Sequence, residues 1–265
     1  MTLADILINP SYFREEDKLY VSGNQSVSED FETYYIKIRD REKRILSIDA
    51  IRKLPVVPRS HLHFKEWQVR QFSSRKLVTF LSKKNNSVVL ELGCGNGWLS
   101  AILARSLEAV VVGVDVQHTE LKQAAYAFGE QQNLYFMYAN ILDDIFKEQS
   151  IDIIILAASV QYFKNFNELI LKLLSLIKDT GEIHIIDSPF YETQNDVSLA
   201  KQRSDRHFTL MGTPEMGDKY FHHSFQQLAH YNYQVIYNPK SIISRVKRRV
   251  FKLSQGVFPW ICIRK

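Results

Sequence analysis

Cysteine is nearly missing from this chain: Cys94 and Cys262 are the two in 265 residues. Two thiols make no disulfide framework, and their spacing is not that of a metal site. A reduced, cytoplasmic setting is the expectation. Long hydrophobic runs are missing too, since none approaches the roughly 20 residues of a membrane-spanning helix. The opening residues, MTLADILINPSYFREED, hold no basic leader followed by an apolar core, so no signal peptide is expected. Charge of one sign is not dominant: 34 Lys and Arg against 29 Asp and Glu leave a net +5. That suits an anionic ligand but is too weak to argue for a nucleic-acid partner. Internal repeats and low-complexity tracts are absent, and nothing sets an oligomeric state. The histidine pairs His61/His63 and His222/His223 lack the carboxylate spacing of a metal helix, so no metal is expected.

What is present reads as one globular domain with an appendage, 45% apolar and 24% charged. Residues 1–60 are aromatic and charged by turns and end at the breakers LPVVPRS. They form a partly helical N-terminal extension, with 22–30 a candidate for flexibility. From His61 the texture changes. Phe64, Trp67, Gln71, Ser74, Val78 and Leu81 recur at helical steps and predict a helix over 64–82. Short Val/Ile-rich runs follow at 87–92, 109–115, 134–139, 151–158 and 181–187. Helical patterns separate them at 97–107, 119–131 and 166–178, the last closed by the glycine of DTG. Continuous rather than alternating apolar strands are buried on both faces, which points to a doubly wound α/β domain over 61–265 with a mostly parallel sheet. Beyond Asp187 come an irregular excursion with one helix over 188–221, a capping box at Ser224 and Gln227, and strands at 233–238 and 257–265. Pro259 assigns the last of these to an edge or a bulge.

The segment VVLELGCGNGWLS carries the chemistry. A strand runs into Gly93, Gly95 and Gly97, and a helix starts at once, so the loop backbone and the helix N–H groups can meet a ligand. The dinucleotide fingerprint is Gly-x-Gly-x-x-Gly with a pyrophosphate on the helix. Here the third glycine comes one place early, and Glu91 stands two residues before the first. That carboxylate repels a pyrophosphate and suits a cation. Asp115 ends the second strand, where an acid accepts both ribose hydroxyls. Asn140 follows the third strand and reads equally as a turn former or as an acceptor on the ligand edge.

On these residues the chain resembles the class I S-adenosylmethionine-dependent methyltransferases, whose first motif is written E/D-x-G-x-G-x-G. The resemblance covers residues 64–187 and implies a seven-stranded sheet in the order 3-2-1-4-5-7-6, the seventh strand antiparallel. It implies that Glu91, Gly93, Cys94, Gly95, Asn96 and Gly97 hold the methionine end of S-adenosylmethionine. Asp115 takes the ribose, and Val116, Asn140 and Ile141 lie by the adenine. Asp152 opens the fourth strand, and Ala157 and Ser159 at its end face the methyl group. S-adenosylhomocysteine is the implied product. Such transfer needs alignment and a deprotonated nucleophile, and no metal.

The acceptor is less legible. The Asp/Asn-Pro-Pro-aromatic run of amino-methylating enzymes is replaced by ASVQYF at 158–163, and Ser159, Gln161 and Tyr162 resemble the corresponding stretch of small-molecule enzymes. Transfer to O or N of a small molecule is the expectation; RNA or protein methylation and a catalytically silent cofactor-binding protein are the alternatives. Candidates for a general base are His222, His223, Asp187 and His207. The two adjacent histidines precede a capped helix N-terminus, which favours neutral imidazole; solvated loop histidines are the plainer reading. Phe31, Tyr34, Tyr35 and Tyr191 are candidate lid residues. Finally, 242–253 reads as a basic amphipathic helix, either a solvated face or a weak contact with an anionic membrane surface.

Overall fold

The computed structural model describes residues 2–23, 29–84, 87–241 and 256–265. The basic stretch at 242–253 lies outside them, as does most of the flexible candidate at 22–30. Nine strands form the main sheet: β1 (Phe13–Glu16), β2 (Leu19–Ser22), β3 (Ser87–Leu92), β4 (Ala109–Asp115), β5 (Leu134–Tyr138), β6 (Ile151–Ala157), β7 (Ile177–Ile186), β10 (Asn232–Tyr237) and β11 (Trp260–Arg264). A separate two-stranded ladder joins β8 (Phe190–Tyr191) and β9 (His223–Ser224). The helices are α1 (Leu3–Ile6), α2 (Glu29–Arg41), α3 (Ile48–Lys53), α4 (Phe64–Leu81), α5 (Trp98–Ser106), α6 (His118–Phe128), α7 (Phe166–Leu176) and α8 (Gln194–Leu210).

The sheet order is β1-β2-β5-β4-β3-β6-β7-β11-β10. Strands β2, β5, β4, β3, β6 and β7 run parallel, while β11 is antiparallel to both β7 and β10. The sheet therefore has nine strands where seven were expected. The additional pair is a hairpin from the opening segment, so that segment is not helical alone. Its two-residue turn, Asp17–Lys18, takes positive φ at both positions, 49° and 67°, the backbone of the tightest hairpins.

Every residue of β3 is buried, and α3 to α6 cover one face of the sheet while α1 and α7 cover the other. Local signals set the boundaries. Asn165 caps α7 by accepting from the Glu168 amide, and Thr193 and Asp196 make a reciprocal capping box at α8. Asp152 accepts the Val88 amide at 2.8 Å and both its oxygens meet Lys178 at 2.9 Å, pinning the start of β6 between its neighbours.

Two local expectations need correction. Gly181 does not close a helix: α7 ends at Leu176, and β7 begins directly with Ile177 opposite Ile151. The ladder then bulges, and a Cβ on Gly181 would stand 2.7 Å from that of Ile177, so the glycine permits the bulge. The Ser224 capping box is present but closes only a 3-10 turn, Phe225–Leu228, rather than an α-helix. The excursion after Asp187 holds α8 and a 3-10 turn, Pro214–Lys219; Phe208 of the helix and Met216 of the turn pack against Ile38 of α2. Among the described residues no helix is long and apolar enough to cross a membrane.

Candidate active site

The carboxyl ends of β3, β4, β5, β6 and β7 share one edge, and this is where open α/β sheets receive ligands. Two cavities open there, of about 750 and 850 Å3. Both are lined by Tyr35, Gly93, Ala158 and Tyr162. The Tyr35 and Tyr162 rings stand edge to face at 5.6 Å where the cavities meet. Two non-glycine residues beside this junction, Ala158 and Asp187, hold left-handed backbone at φ 56° and 53°. Such strain gathers at functional edges.

All three loop glycines have positive φ, yet they serve different ends. A Cβ on Gly93 would lie 2.4 Å from that of Ser159, and one on Gly97 would lie 2.6 Å from the Phe136 ring. Close packing of the loop on β5 and on the turn after β6 therefore accounts for these two. Gly97 lines neither cavity, contrary to its expected place with the ligand. Gly95 is the open position. Its added Cβ would meet only the Glu120 carboxylate, at 3.0 Å.

The acids gather around that loop. Asp115 accepts the Gly95 amide at 2.7 Å on one oxygen and the Val116 and Gln117 amides at 2.7 and 2.9 Å on the other. Burial nevertheless raises its pKa to about 6, outweighing those amides. Glu91 is 2% exposed and accepts a 2.5 Å hydrogen bond from Ser100. Burial pushes it up to about 8, with the Asp115 charge adding to the shift. Glu120, on α6, is held by Arg39 and Tyr35 of α2. The same helix delivers Glu32, whose carboxylate accepts the His118 amide at 2.5 Å and the Tyr138 hydroxyl at 3.1 Å. The N-terminal segment is thus bolted over the loop.

The expected ligand residues divide between the cavities. Glu91, Gly93, Cys94, Gly95, Asn96 and Ala157 line the first. Asp115, Val116, Asn140, Ile141 and Ser159 line the second. Asn140 also makes a turn, accepting the Leu142 amide at 3.1 Å, as its turn-forming reading expected. Ser159 donates to the Leu92 carbonyl at 2.6 Å and holds the two strand ends together. Burial raises the Cys94 thiol well above its ordinary pKa, so it is inert.

Of the candidate bases, His222, Asp187 and His207 line the first cavity and His223 lines neither. His223 packs between Phe166 and Phe190 and bonds the Val160 carbonyl at 3.1 Å, a structural position. His207 pairs with Glu42 at 2.8 Å. Asp187 accepts the Ser73 hydroxyl at 2.6 Å, and burial raises its pKa. His222 differs from these: both ring nitrogens are buried without a hydrogen-bond partner. Burial first, then the charge of His223, lowers its pKa to about 4. The neutrality expected from a helix dipole is there, but desolvation is its cause.

Several lining residues lay outside the expectations from sequence. Arg70, on α4, stacks on Trp67 at 5.3 Å, pairs with Glu66 at 2.9 Å and acts electrostatically on both Glu91 and Asp187. Trp67 itself is buried against Trp98 and also lines the first cavity. A charge on an otherwise core-facing stripe was the signal for Arg70. Glu120 and Arg39 carried no such signal.

A further buried group, Glu182, His184 and Cys262, brings potential metal donors within 4.8 Å of one another on β7 and β11, beside Phe80 of α4. Its donors are committed: Trp260 donates to His184 Nδ1 at 3.1 Å, His184 Nε2 meets Glu182, and Lys84 and Arg264 pair with Glu182. It reads as an ion cluster that ties β7 to β11.

The model of the methyltransferase domain family matches residues 83–233. The chain belongs to that family. It is a class I S-adenosylmethionine-dependent methyltransferase, and its sheet has solved counterparts. The YcgJ protein of Bacillus subtilis superposes with TM-score 0.57 at 13% identity, over 74% of this chain and 99% of its own. A putative methyltransferase of Bacillus halodurans C-125 gives 0.52 at 16%, over 62% and 70%. The geranyl diphosphate C-methyltransferase of Streptomyces coelicolor A3(2), solved with Mg2+, geranyl diphosphate and S-adenosyl-L-homocysteine, gives 0.52 at 13%, over 78% and 84%. At such identities the likeness is one of fold.

The residues of this methyltransferase fit its cofactor. Asn96 Oδ1 is buried without a partner on the wall of the first cavity, where an amino acid's ammonium would supply a donor. Glu91, on the same wall, is buried without an ion-pair partner among the described residues, and a ligand ammonium would favour its ionised form. The elongated space through the Tyr35–Tyr162 junction matches a ligand with a polar head and a nucleoside tail.

Proposed function

We propose that this methyltransferase transfers a methyl group to an oxygen or nitrogen of a small-molecule acceptor held in the first cavity. The observation that carries this reading is the meeting of two cavities at Tyr35, Gly93, Ala158 and Tyr162. One has the acidic and amide edge for a nucleoside, and the other continues past the methionine site into a chamber walled by α2 and α8. When bound, S-adenosylmethionine supplies an electrophilic methyl on a sulfonium.

The chain's own residues do the rest. Asp115 keeps one acceptor site, on the oxygen that receives the Gly95 amide, for the ribose hydroxyls. Asn140 and Ile141 border the base. Glu91, the Gly93–Asn96 backbone and Arg70 surround an ammonium and a carboxylate. Tyr35 and Tyr162 close on the reacting region and exclude water. His222 is a neutral hydrogen-bond acceptor at every pH above about 4, placed to orient an acceptor hydroxyl or amine; Asp187 is the alternative proton acceptor. Residues 1–60 act as a lid through α2. Strands β5, β4, β3, β6, β7, β11 and β10 make the family core in the order 3-2-1-4-5-7-6, with the β1–β2 hairpin added beyond the third strand.

A cavity of about 750 Å3, within the ordinary range of small-molecule sites, supports a small acceptor over a polymer. Release of S-adenosylhomocysteine on incubation with S-adenosylmethionine and a metabolite panel tests the reading. Turnover only with RNA or protein would replace it.

A further inference from the structure

The far end of the first cavity has a chemistry of its own. Tyr162 and Tyr220 stand edge to face at 5.6 Å and 88°, and Phe208 meets Tyr220 at 5.6 Å. His222 lies edge-on to Tyr220 at 5.3 Å and to Tyr191 at 5.7 Å. These rings, with the buried Met216, frame an apolar slot whose faces and edges suit a flat ring. The only buried polar atoms there without a partner among the described residues are the two nitrogens of His222.

Charge is distributed unevenly along the walls. Arg39 is paired with Glu120, Arg44 with Glu42 and Glu66, and Arg70 with Glu66. Arg203 and Lys65 also line the cavity, and neither has an ion-pair partner among the described residues. Arg203 is exposed on α8, close enough to act on both His222 and the Tyr191 hydroxyl. Glu91 and Asp187, which have no ion-pair partner among the described residues, lie instead at the inner end beside the loop and the strand ends. The slot is thus aromatic inside, with the Arg203 guanidinium beside it on α8 next to the Lys201–Asp205 pair.

We infer that the acceptor is a hydroxylated aromatic carboxylic acid, with its hydroxyl received by His222, its ring held between Tyr162, Phe208 and Tyr220, and its carboxylate paired with Arg203. A guanidinium at a partly wetted mouth matches a carboxylate in two hydrogen bonds and holds it without deep desolvation. This rests on the methyl-transfer reading above.

The test is calorimetric titration of the full chain, saturated with S-adenosylhomocysteine. The probes are hydroxybenzoates, hydroxyphenylacetates and hydroxycinnamates, each against its counterpart lacking the carboxylate, such as 3,4-dihydroxybenzoate against catechol. The inference expects at least one acid to bind about tenfold more tightly than its counterpart. Arg203→Gln should remove that difference and leave the counterpart's affinity unchanged, while Arg206→Gln, one surface residue along the same helix, should keep it. Acids and counterparts binding alike, or none binding while S-adenosylhomocysteine does, overturns the acceptor class and leaves methyl transfer standing. Tight acid binding that survives Arg203→Gln overturns the role of Arg203. If S-adenosylhomocysteine itself fails to bind, both readings fall together.

Discussion

Arg39 places Nε and Nη2 on one oxygen of Glu120, at 3.1 and 2.8 Å, while the Tyr35 hydroxyl reaches the other oxygen at 3.3 Å. That second oxygen is the atom a side chain on Gly95 would meet first. One buried carboxylate therefore joins the N-terminal helix to the glycine loop.

Removing the cation should be costly. Arg39→Met leaves Glu120, whose side chain is 5% exposed, as an unpaired buried charge. A loss of about 3 kcal/mol in unfolding free energy is expected, with weaker S-adenosylhomocysteine binding. Adding Glu120→Gln should recover most of the stability. Chemical denaturation of the two variants checks this; a double mutant no more stable than Arg39→Met would contradict the pairing argument.

The three glycines should separate on substitution. Gly97→Ala drives a methyl into Phe136 and strains a left-handed backbone, so it should destabilise the fold by ~1–3 kcal/mol. Gly95→Ala bears the same left-handed strain but meets only the tip of Glu120, so it should cost less stability and act more on cofactor affinity. Melting temperature and calorimetric Kd, measured on both, should move in opposite proportion.

The ribose contact is testable at one residue. Asp115→Ala removes the proposed ribose acceptor and should weaken S-adenosylhomocysteine by about 1–3 kcal/mol. An unchanged affinity would contradict the ribose role and leave Asp115 only its bonds to the Gly95, Val116 and Gln117 amides.

The proton inventory of binding follows from Glu91. With a folded pKa of about 8 it is raised above its ordinary 4.5. The group therefore adds relative stability to the folded state below pH 4.5, and this is lost as pH rises through 8. At pH 7 it is mostly protonated in the free protein. A ligand ammonium favours the ionised form, so binding should release up to roughly 0.9 proton at pH 7 and tighten as pH rises toward 8. Calorimetry in buffers of different ionisation enthalpy measures the release. Glu91→Gln should abolish this share, whereas any proton lost by the ligand's own amine would persist.

How much of this was visible in the sequence depended on how many forces pointed one way. Strands β3 and β4 begin and end where their apolar runs do, because both are buried on each face and end in the loop and in Asp115. The end of α7 was misplaced because Ile177 continues its apolar spacing, although pairing with Ile151 claims it for the sheet. The β1–β2 hairpin went unseen because its turn is Asp-Lys and not the Asn-Gly that usually marks positive φ. At the site, the motif pointed to residues on the strand ends that line the two cavities. Arg39, Glu120 and the unpartnered nitrogens of His222 depend on α2 and α8 folding across that edge, and no local spacing encodes such a crossing. Two of the glycines that looked like room for a ligand turned out to be room for Ser159 and Phe136.

The central claim is that the edge formed by Glu91, the glycine loop and Asp115 binds S-adenosylmethionine. Calorimetric titration of the full chain with S-adenosylhomocysteine tests it most directly. The account predicts a single-site isotherm with Kd on the order of micromolar, weakened by Asp115→Ala. No heat of binding up to about millimolar ligand, from protein shown to be folded, would contradict it.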